Sequence, residues 1–166
     1  MEQKAIQDYY PAEISQCYGC GRLNEHGLQL KSRWDGEDMV AIFHPKAYHC
    51  GISGFVYGGL IASLIDCHAM GTASAASYRA EQRAPDTDPP FRFVTGSLQV
   101  RYVRPTPLGP PLEVRARVKE IKGRKVTIGV TLSAEGRICA KGEVIAVQMP
   151  DHMMPDGAAR QNQNSS

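Results

Sequence analysis

The chain has 166 residues, of which 42% are apolar and 22% are charged; this balance supports one globular domain and excludes wholesale disorder. The formal net charge is only +2, from 19 basic and 17 acidic side chains, so we expect neither nucleic acid nor a membrane as a partner. The first residues, MEQKAIQDYYPAE, lack the apolar stretch of an export signal. We therefore expect a cytoplasmic protein whose five cysteines are reduced thiols.

The composition along the chain predicts three parts. Residues 1–16 form a polar tail or a short helix that Pro11 ends. Residues 17–149 carry the periodic apolar patterns of a folded domain. Residues 150–166 are polar, contain two prolines and show no periodicity, so we expect this end to be poorly ordered.

Within the domain, the patterns predict two strands, one long helix and then four more strands. The first two strands, Leu28–Trp34 and Met39–His44, flank an Asp-Gly turn, and the helix covers about Gly58 to Tyr78. Alternation of apolar and polar residues predicts the later strands, at 91–103, 112–119, 126–133 and 138–147. The expected fold class is α+β, a long helix packed on a largely antiparallel sheet of about five or six strands.

The predicted helix has an apolar stripe that suits the dry face of the sheet. These residues form it: Leu60, Ile61, Leu64, Ile65, His68, Ala69, Thr72, Ala75 and Ala76. The opposite face is small and neutral, and Asp66 is the only formally charged residue between Lys46 and Arg79. The central Asp66, the glycines and the serines make a membrane span costly. We therefore expect this face to be buried too, most simply against a second copy of the chain.

Two features of the helix predict a reaction site. Asp66 is a carboxylate near an interface, and the alternative to a catalytic role is that it accepts hydrogen bonds from Ser63 or nearby backbone. Gly58 and Gly59 leave backbone N–H groups accessible at the helix N-terminus, where developing negative charge is stabilised. Eight residues span about 12 Å along a helix, so two antiparallel helices would bring Asp66 of one chain near the glycines of the other.

Three segments of the chain carry motifs: Cys17-Tyr18-Gly19-Cys20-Gly21-x-x-Asn24-x-x-Gly27-Leu28-x-Leu30-Lys31, His49-x-Gly51-x-x-Gly54-x-Val56-Tyr57-Gly58-Gly59 with Leu64-Ile65-Asp66, and the strand from Val94-Thr95 to Arg104-Pro105. Over roughly residues 16–149, these motifs resemble those of hotdog-fold acyl-CoA thioesterases of the phenylacetic-acid-degradation (PaaI-like) type. The resemblance implies a hotdog fold, a homodimer or homotetramer, and hydrolysis of acyl-CoA thioesters without a cofactor or a metal ion.

The resemblance also implies roles for particular residues. Asp66 would act as general base or nucleophile, and Gly58 with Gly59 would polarise the thioester carbonyl. Thr95 matches the strand position whose side chain orients the carboxylate or the water. Simple alternation along the strand points Thr95 away from the carboxylate, so this role requires the partner chain or a bulge near Gly96. The family usually has His where this chain has Tyr57.

The family also has an Asn or Gln just upstream of the position of Tyr57, and this chain has Gly51 there. His49 is then the nearest polar candidate for binding substrate together with Tyr57 and Gly51. A thiolate leaves easily, so one carboxylate and preorganised N–H dipoles suffice for thioester hydrolysis.

Two other functions remain open from the sequence. An acyl-thioester dehydratase would need a base and an acid, which His68 or His49 could supply with Asp66. The loss of the expected His at Tyr57 also fits a non-catalytic acyl-CoA-binding protein.

Cys17-x-x-Cys20, with His26 nearby, is only half of a zinc motif, and a turn through Gly19 and Gly21 is the simpler interpretation. No base accompanies Cys67, and His68 is expected to be a hydrogen-bonded core histidine.

Overall fold

The computed structural model describes residues 3–153, and the greater part of the predicted C-terminal tail, 154–166, lies outside them. It contains one long helix, α1 (Gly58–Ala80), and six strands: β1 (Arg33–Asp35), β2 (Asp38–Phe43), β3 (Phe93–Tyr102), β4 (Leu112–Lys122), β5 (Lys125–Ala134) and β6 (Arg137–Gln148). Short 3-10 helices lie at Ile6–Tyr9, Ala12–Ile14, Ala47–His49 and Asp151–Met153. Within residues 3–153, no helix has both the length and the apolar character needed to cross a membrane.

The strands form one sheet in the order β1-β2-β4-β5-β6-β3, and every neighbouring pair is antiparallel. Tight turns join β1 to β2, β4 to β5 and β5 to β6, and each contains a glycine at positive φ, namely Gly36, Gly123 and Gly136. Strand β3 follows the helix instead of a hairpin and forms one edge of the sheet. The predicted fold class, a long helix on an antiparallel sheet, is confirmed.

The predicted apolar stripe of α1 packs on one face of the sheet. All nine of its residues are buried, and Leu64 and Ile65 are fully inaccessible to solvent. They join a core to which the inward side chains of the sheet contribute Leu112, Val114, Ile128, Leu132 and Val144, among others. Burial of a side chain such as Leu64 contributes about 1.5–3 kcal/mol, so this contact fixes the position of α1 against the sheet.

The second face of α1 differs from the expectation along half of its length. Towards the C-terminal end it is covered by the same chain: Ser74 Oγ donates to the Phe91 carbonyl at 2.9 Å, and Gly71 packs against the buried Gln7. Towards the N-terminal end, Ala62, Ser63, Asp66 and Met70 remain partly exposed. The expected burial is thus found within one chain only for the C-terminal half of this face, and the N-terminal half is left partly exposed.

The first predicted strand is too long. It begins at Arg33 instead of Leu28, because the preceding residues bond to a loop and not to the sheet. The N–H groups of Leu28 and Leu30 donate to the carbonyls of Tyr18 and Gly19 at 2.7 and 3.1 Å. These bonds close the loop of residues 17–30 on itself, and the side chains of buried Leu30 and partly buried Leu28 pack it against the core.

Candidate active site

The N-terminus of α1 is held in place by the loop before it. The Tyr57 N–H donates to the His49 carbonyl at 2.9 Å, and the Val56 N–H donates to the Thr106 carbonyl at 2.9 Å. Gly51 belongs to this scaffold, since its N–H donates to the Phe55 carbonyl at 3.0 Å and a Cβ there would lie 3.3 Å from Tyr57 Cα. The loop therefore fixes where the helix begins.

The first two N–H groups of α1 are open. Tyr57 is the N-cap and makes no side-chain capping bond, and its carbonyl accepts from Leu60 and Ile61 instead. Within residues 3–153, no group accepts a hydrogen bond from the N–H of Gly58 or Gly59. Since the helix dipole also points its positive end here, these two groups can stabilise a developing oxyanion.

Two tyrosines border the open N–H groups. The Tyr57 ring lies against Gly59, where an added Cβ would meet its Cε1 at 2.4 Å. Tyr102 Oη donates to the Gly58 carbonyl at 2.7 Å and contacts the Cα side of that glycine. Glycine at position 59 is thus required for the observed placement of Tyr57, the residue that stands where the resemblance leads one to expect a histidine.

Asp66 has a direct partner on the edge strand. Thr95 Oγ1 donates to Asp66 Oδ1 at 2.5 Å. The bulge that the sequence argument required is present, since the register of β3 against β6 shifts between Thr95 and Ser97. Gly96 permits it, because a Cβ there would lie 2.7 Å from Val147 Cγ2 and 3.2 Å from the Ile145 carbonyl oxygen. The bulge re-aims Thr95 at the helix.

A groove of about 830 Å³ runs along the N-terminal side of α1. Three of the predicted site residues, His49, Tyr57 and Gly59, line it. Gly51, Gly58, Asp66 and Thr95 do not. Asp66 lies eight residues, or about 12 Å, along α1 from Gly58. Within one chain, the carboxylate and the open N–H groups are therefore apart, and we refer to them as the two candidate half-sites.

His49 is oriented for a role in the groove. Its Nδ1 accepts the Lys46 N–H at 2.9 Å, and its ring packs edge-on against Tyr48, with centroids 4.6 Å apart. Partial burial, together with the charge of Lys46, lowers the pKa of His49 below its ordinary value. The imidazole is thus held neutral, with Nε2 as the nitrogen left for a ligand.

His68 is the core histidine that the sequence predicts. It is fully buried, with Nδ1 2.8 Å from Ser32 Oγ and Nε2 3.0 Å from the Met39 carbonyl. Burial lowers its pKa to about 4. Both ring nitrogens are engaged in the core, so His68 is unavailable as an acid or base for bound substrate.

The structure also adds residues that the sequence did not suggest. The loop 25–31 and His44 line the groove, although no motif placed them near the helix. Many of the basic side chains on the sheet are paired: Arg115 and Arg117 both bind Asp38, and Arg115 also binds Asp35 and Glu113. This part of β4 is therefore a solvated, ion-paired sheet face.

One group of side chains has the composition of a metal site. The Sγ atoms of Cys17, Cys20 and Cys67 lie within 4.8 Å of one another. His26, the partner that the sequence suggested, lies apart from them, exposed and 3.8 Å from the Glu25 carboxylate. The Cys17-x-x-Cys20 motif thus meets a third thiol from α1, which sequence spacing could not reveal.

Comparison with known proteins identifies the family. A model of the thioesterase superfamily matches residues 53–141. This segment is more than half of the chain and contains all of α1, the Asp66–Thr95 pair and most of the sheet. The chain belongs to the thioesterase superfamily, as the motifs predicted.

Individual relatives agree with this assignment. A thioesterase superfamily protein from Shewanella loihica PV-4 is 45% identical, with a TM-score of 0.66 over 87% of this chain and 99% of that one. The acyl-coenzyme A thioesterase THEM4 of Xenopus laevis is 35% identical over 88 residues, 53% of this chain and 34% of that protein. The chain thus spans about a third of the curated relatives it matches. The E. coli PaaI protein from the phenylacetic acid degradation operon shares the fold at 14% identity, with a TM-score of 0.60 over 74% of this chain and 81% of that one.

Proposed function

We propose that the chain is an acyl-CoA thioesterase in which Asp66 is the general base or nucleophile and Gly58 and Gly59 form the oxyanion hole. The observation that carries the proposal is the hydrogen bond from Thr95 Oγ1 to Asp66 Oδ1. A hydroxyl donor on one carboxylate oxygen fixes the orientation of the Asp66 side chain. Membership of the thioesterase superfamily and the name of the THEM4 relatives support the substrate class.

The contacts of Asp66 suit attack on a thioester. Thr95 occupies Oδ1, and no residue within 3–153 donates to Oδ2, which leaves that oxygen for a water molecule or for the acyl carbon. As the carbonyl carbon is attacked, its oxygen gains negative charge that the glycine N–H groups stabilise. The C–S bond then breaks, and the coenzyme A thiolate leaves without a strong acid because thiols have a pKa near about 8.5.

Two routes satisfy this geometry. In the first, Asp66 takes a proton from water, and the water oxygen bonds to the acyl carbon. In the second, Asp66 Oδ2 bonds to that carbon, and water hydrolyses the resulting anhydride. After a single turnover in water labelled with oxygen-18, label in the Asp66 carboxylate identifies the second route, because water that attacks the aspartyl carbon of the anhydride leaves its oxygen there and the first route never labels Asp66.

The separation of the half-sites supports a shared site in a dimer. If two α1 helices pack antiparallel about a twofold axis near Ala62, Asp66 comes level with Gly58 of the partner subunit. Small Ala62 and Ser63 at the crossing permit close approach of the helices. The same side of the chain carries β3, an edge strand with partly exposed Leu98 and Tyr102, and one twofold interface can cover both.

The groove supports binding of a CoA ester. His49, Tyr57 and Gly59 line it together, so a thioester carbonyl bound beside Gly59 would lie near the open N–H groups. Lys46 on its wall supplies positive charge for an anionic nucleotide. His49, neutral and half-buried, presents Nε2 to the same space.

The dehydratase alternative is disfavoured by the position of the histidines. Of the two histidines that this alternative could use, His68 has both nitrogens engaged in the core. Only His49, which lies beside Gly59 on the groove, could then act together with Asp66 across the proposed dimer. Hydration of an enoyl-CoA would nevertheless be visible in the same experiment that tests hydrolysis.

The test is a thiol-release screen with short, medium, long and aryl acyl-CoAs, and with enoyl-CoA assayed for hydration. Asp66→Asn should lower kcat/KM for the preferred ester by about 10²- to 10⁴-fold, the range of general-base catalysis, with an unchanged melting temperature. Asp86→Asn, the same chemical change at an exposed loop position, should leave hydrolysis unchanged. Full activity of Asp66→Asn would remove Asp66 from the mechanism, and tight binding of CoA esters without turnover would support the binding-protein alternative.

A further inference from the structure

Three cysteines from distant parts of the sequence meet beside α1. Cys17 and Cys20 lie in the loop 17–30, and Cys67 lies on the helix. The Sγ atoms of Cys17 and Cys67 are 3.7 Å apart, and all three sulfurs lie within 4.8 Å of one another. Within residues 3–153, no other His, Cys, Asp or Glu ligand atom joins this group. The thiols do not belong to the Asp66–Thr95 pair.

The loop is shaped to aim its sulfurs at the helix. Gly19 allows the approach, because a Cβ there would lie 2.1 Å from Cys67 Sγ. The Gly21 N–H donates to the Cys17 carbonyl at 2.8 Å, and a Cβ at Gly21 would lie within 2.6 Å of three backbone atoms. The glycines that flank Cys20 thus permit a turn so tight that both loop sulfurs face the same point.

The three sulfurs lie close enough to shift one another's pKa. Hydrogen bonding with Cys20 and Cys67 lowers the pKa of the Cys17 thiol. Interaction with Cys17 and burial raise the pKa of Cys20 and of Cys67, and the nearby charge of Lys31 opposes part of the rise at Cys20. These mutual effects follow from the short distances between the sulfurs.

We propose that Cys17, Cys20 and Cys67 bind one Zn²⁺ ion, with a water molecule as the fourth ligand. Zinc–sulfur bonds of about 2.3 Å in a tetrahedron place sulfurs about 3.8 Å apart, close to the 3.7 Å between Cys17 and Cys67. Three soft thiolates match the preference of Zn²⁺ over Mg²⁺ or Ca²⁺. Exposed Cys17 provides an entry path, and each thiol of the cluster that carries a proton releases it to solvent as the ion binds.

The ion would fasten the loop 17–30 to α1. This loop has no helix or strand of its own, and it supplies Tyr18, Gly27 and Leu28 to the wall of the groove. A bound ion stabilises the folded chain because the three ligands are not assembled when the chain is unfolded. The proposal stands on the cysteine geometry and does not require the thioesterase activity.

The experiment measures metal content and coordination. The reduced full-length chain is freed of metal with a chelator and titrated with Zn²⁺, and with Co²⁺ as a spectroscopic probe. We expect one equivalent of zinc per chain, thiolate-to-cobalt charge-transfer absorption with tetrahedral d–d bands, and a higher melting temperature with zinc. Cys67→Ser should weaken zinc binding by more than about 100-fold, since even changes outside the ligand set cost about 10- to 100-fold.

The controls keep the outcome decisive. Cys50→Ser changes an exposed cysteine outside the cluster and should leave the zinc stoichiometry at one. If Cys67→Ser does not fold, Cys17→Ser tests the same prediction at an exposed ligand. Three thiols that react freely with a disulfide reagent in the presence of Zn²⁺ would overturn the proposal. A purified chain that contains a disulfide within the cluster, and that binds no zinc after this disulfide is reduced, would also overturn the proposal.

Discussion

The sharing of an active site between two subunits can be tested by mixing two inactive variants. Asp66→Asn removes the proposed base, and Gly58→Pro removes one of the proposed oxyanion donors. Proline is tolerated at the first helical position because its missing N–H has no intrahelical acceptor. Tyr57, with φ −60° and ψ 129°, already has the extended backbone that precedes a proline. Each variant alone should lose about 100-fold or more of its activity.

The magnitude follows from the geometry. In a mixed dimer, one site contains both substitutions, and the other contains the native Asp66 of one subunit and the native Gly58 of the other. Random exchange between equal amounts of the variants gives about half mixed dimers, so about one quarter of all sites are intact. We therefore expect about one quarter of wild-type hydrolysis after mixing. A site within one chain would carry one defect in every copy and recover nothing.

The assay is thiol release from an acyl-CoA before and after subunit exchange in mild denaturant. The variants carry different affinity tags, so that mixed dimers can be isolated and their composition verified by mass spectrometry. Gly58→Ala keeps the N–H, and its added Cβ would lie an ordinary 3.5 Å from the Tyr102 ring. This control should lose far less activity than Gly58→Pro. Verified mixed dimers without recovered activity would refute the shared site.

Three further predictions test the positions of single side chains. Thr95→Val removes the donor to Asp66 and should lower kcat about 10-fold with little change in KM, whereas Thr95→Ser should retain most activity; equal kcat values would contradict a positioning role. The pKa of His68 is lowered to about 4 in the fold from about 6.5 in the unfolded chain, so the unfolded state binds the extra proton between these values. The contribution of His68 to the free energy of unfolding should therefore be fully present above pH 6.5, and the free energy of unfolding should fall by about 3 kcal/mol as the pH drops to 4. In urea unfolding, His68→Gln should show a smaller fall. Leu64→Ala, in the centre of the core, should cost about 2–5 kcal/mol in the same assay, and exposed Ile121→Ala much less.

The secondary structure was largely predictable because local periodicity reports which face of an element is dry. The apolar stripe of α1 and the alternation along β4, β5 and β6 predicted elements that the structure contains. The strand predicted at Leu28 was wrong at its start, since alternation also arises where two leucines anchor a loop. A pattern of buried residues alone does not show whether the backbone makes hydrogen bonds to a sheet or to a neighbouring turn.

The candidate site divides in the same way between sequence and structure. The sequence identified Asp66 as a carboxylate on the helix and Gly58 and Gly59 as its N-terminus, because all three residues lie on one predicted helix and its regular geometry fixes their spacing. The contact of Thr95 with Asp66 depends on a bulge, which shifts one side chain to the other face of β3 and leaves only Gly96 as its trace in the sequence.

By itself, the sequence determined the family motifs, the long helix with its dry stripe, and the carboxylate at the helix centre, all of which rest on short-range periodicity and spacing. Only the tertiary structure decided which groups meet across the chain: Thr95 with Asp66, and Cys67 with Cys17 and Cys20. Such contacts are set by how α1 packs against the edge strand and the N-terminal loop. The number of residues between two positions does not predict whether they are in contact. Cys67 lies 47 residues from Cys20 and 50 from Cys17, and only the packing of the folded chain brings the three together.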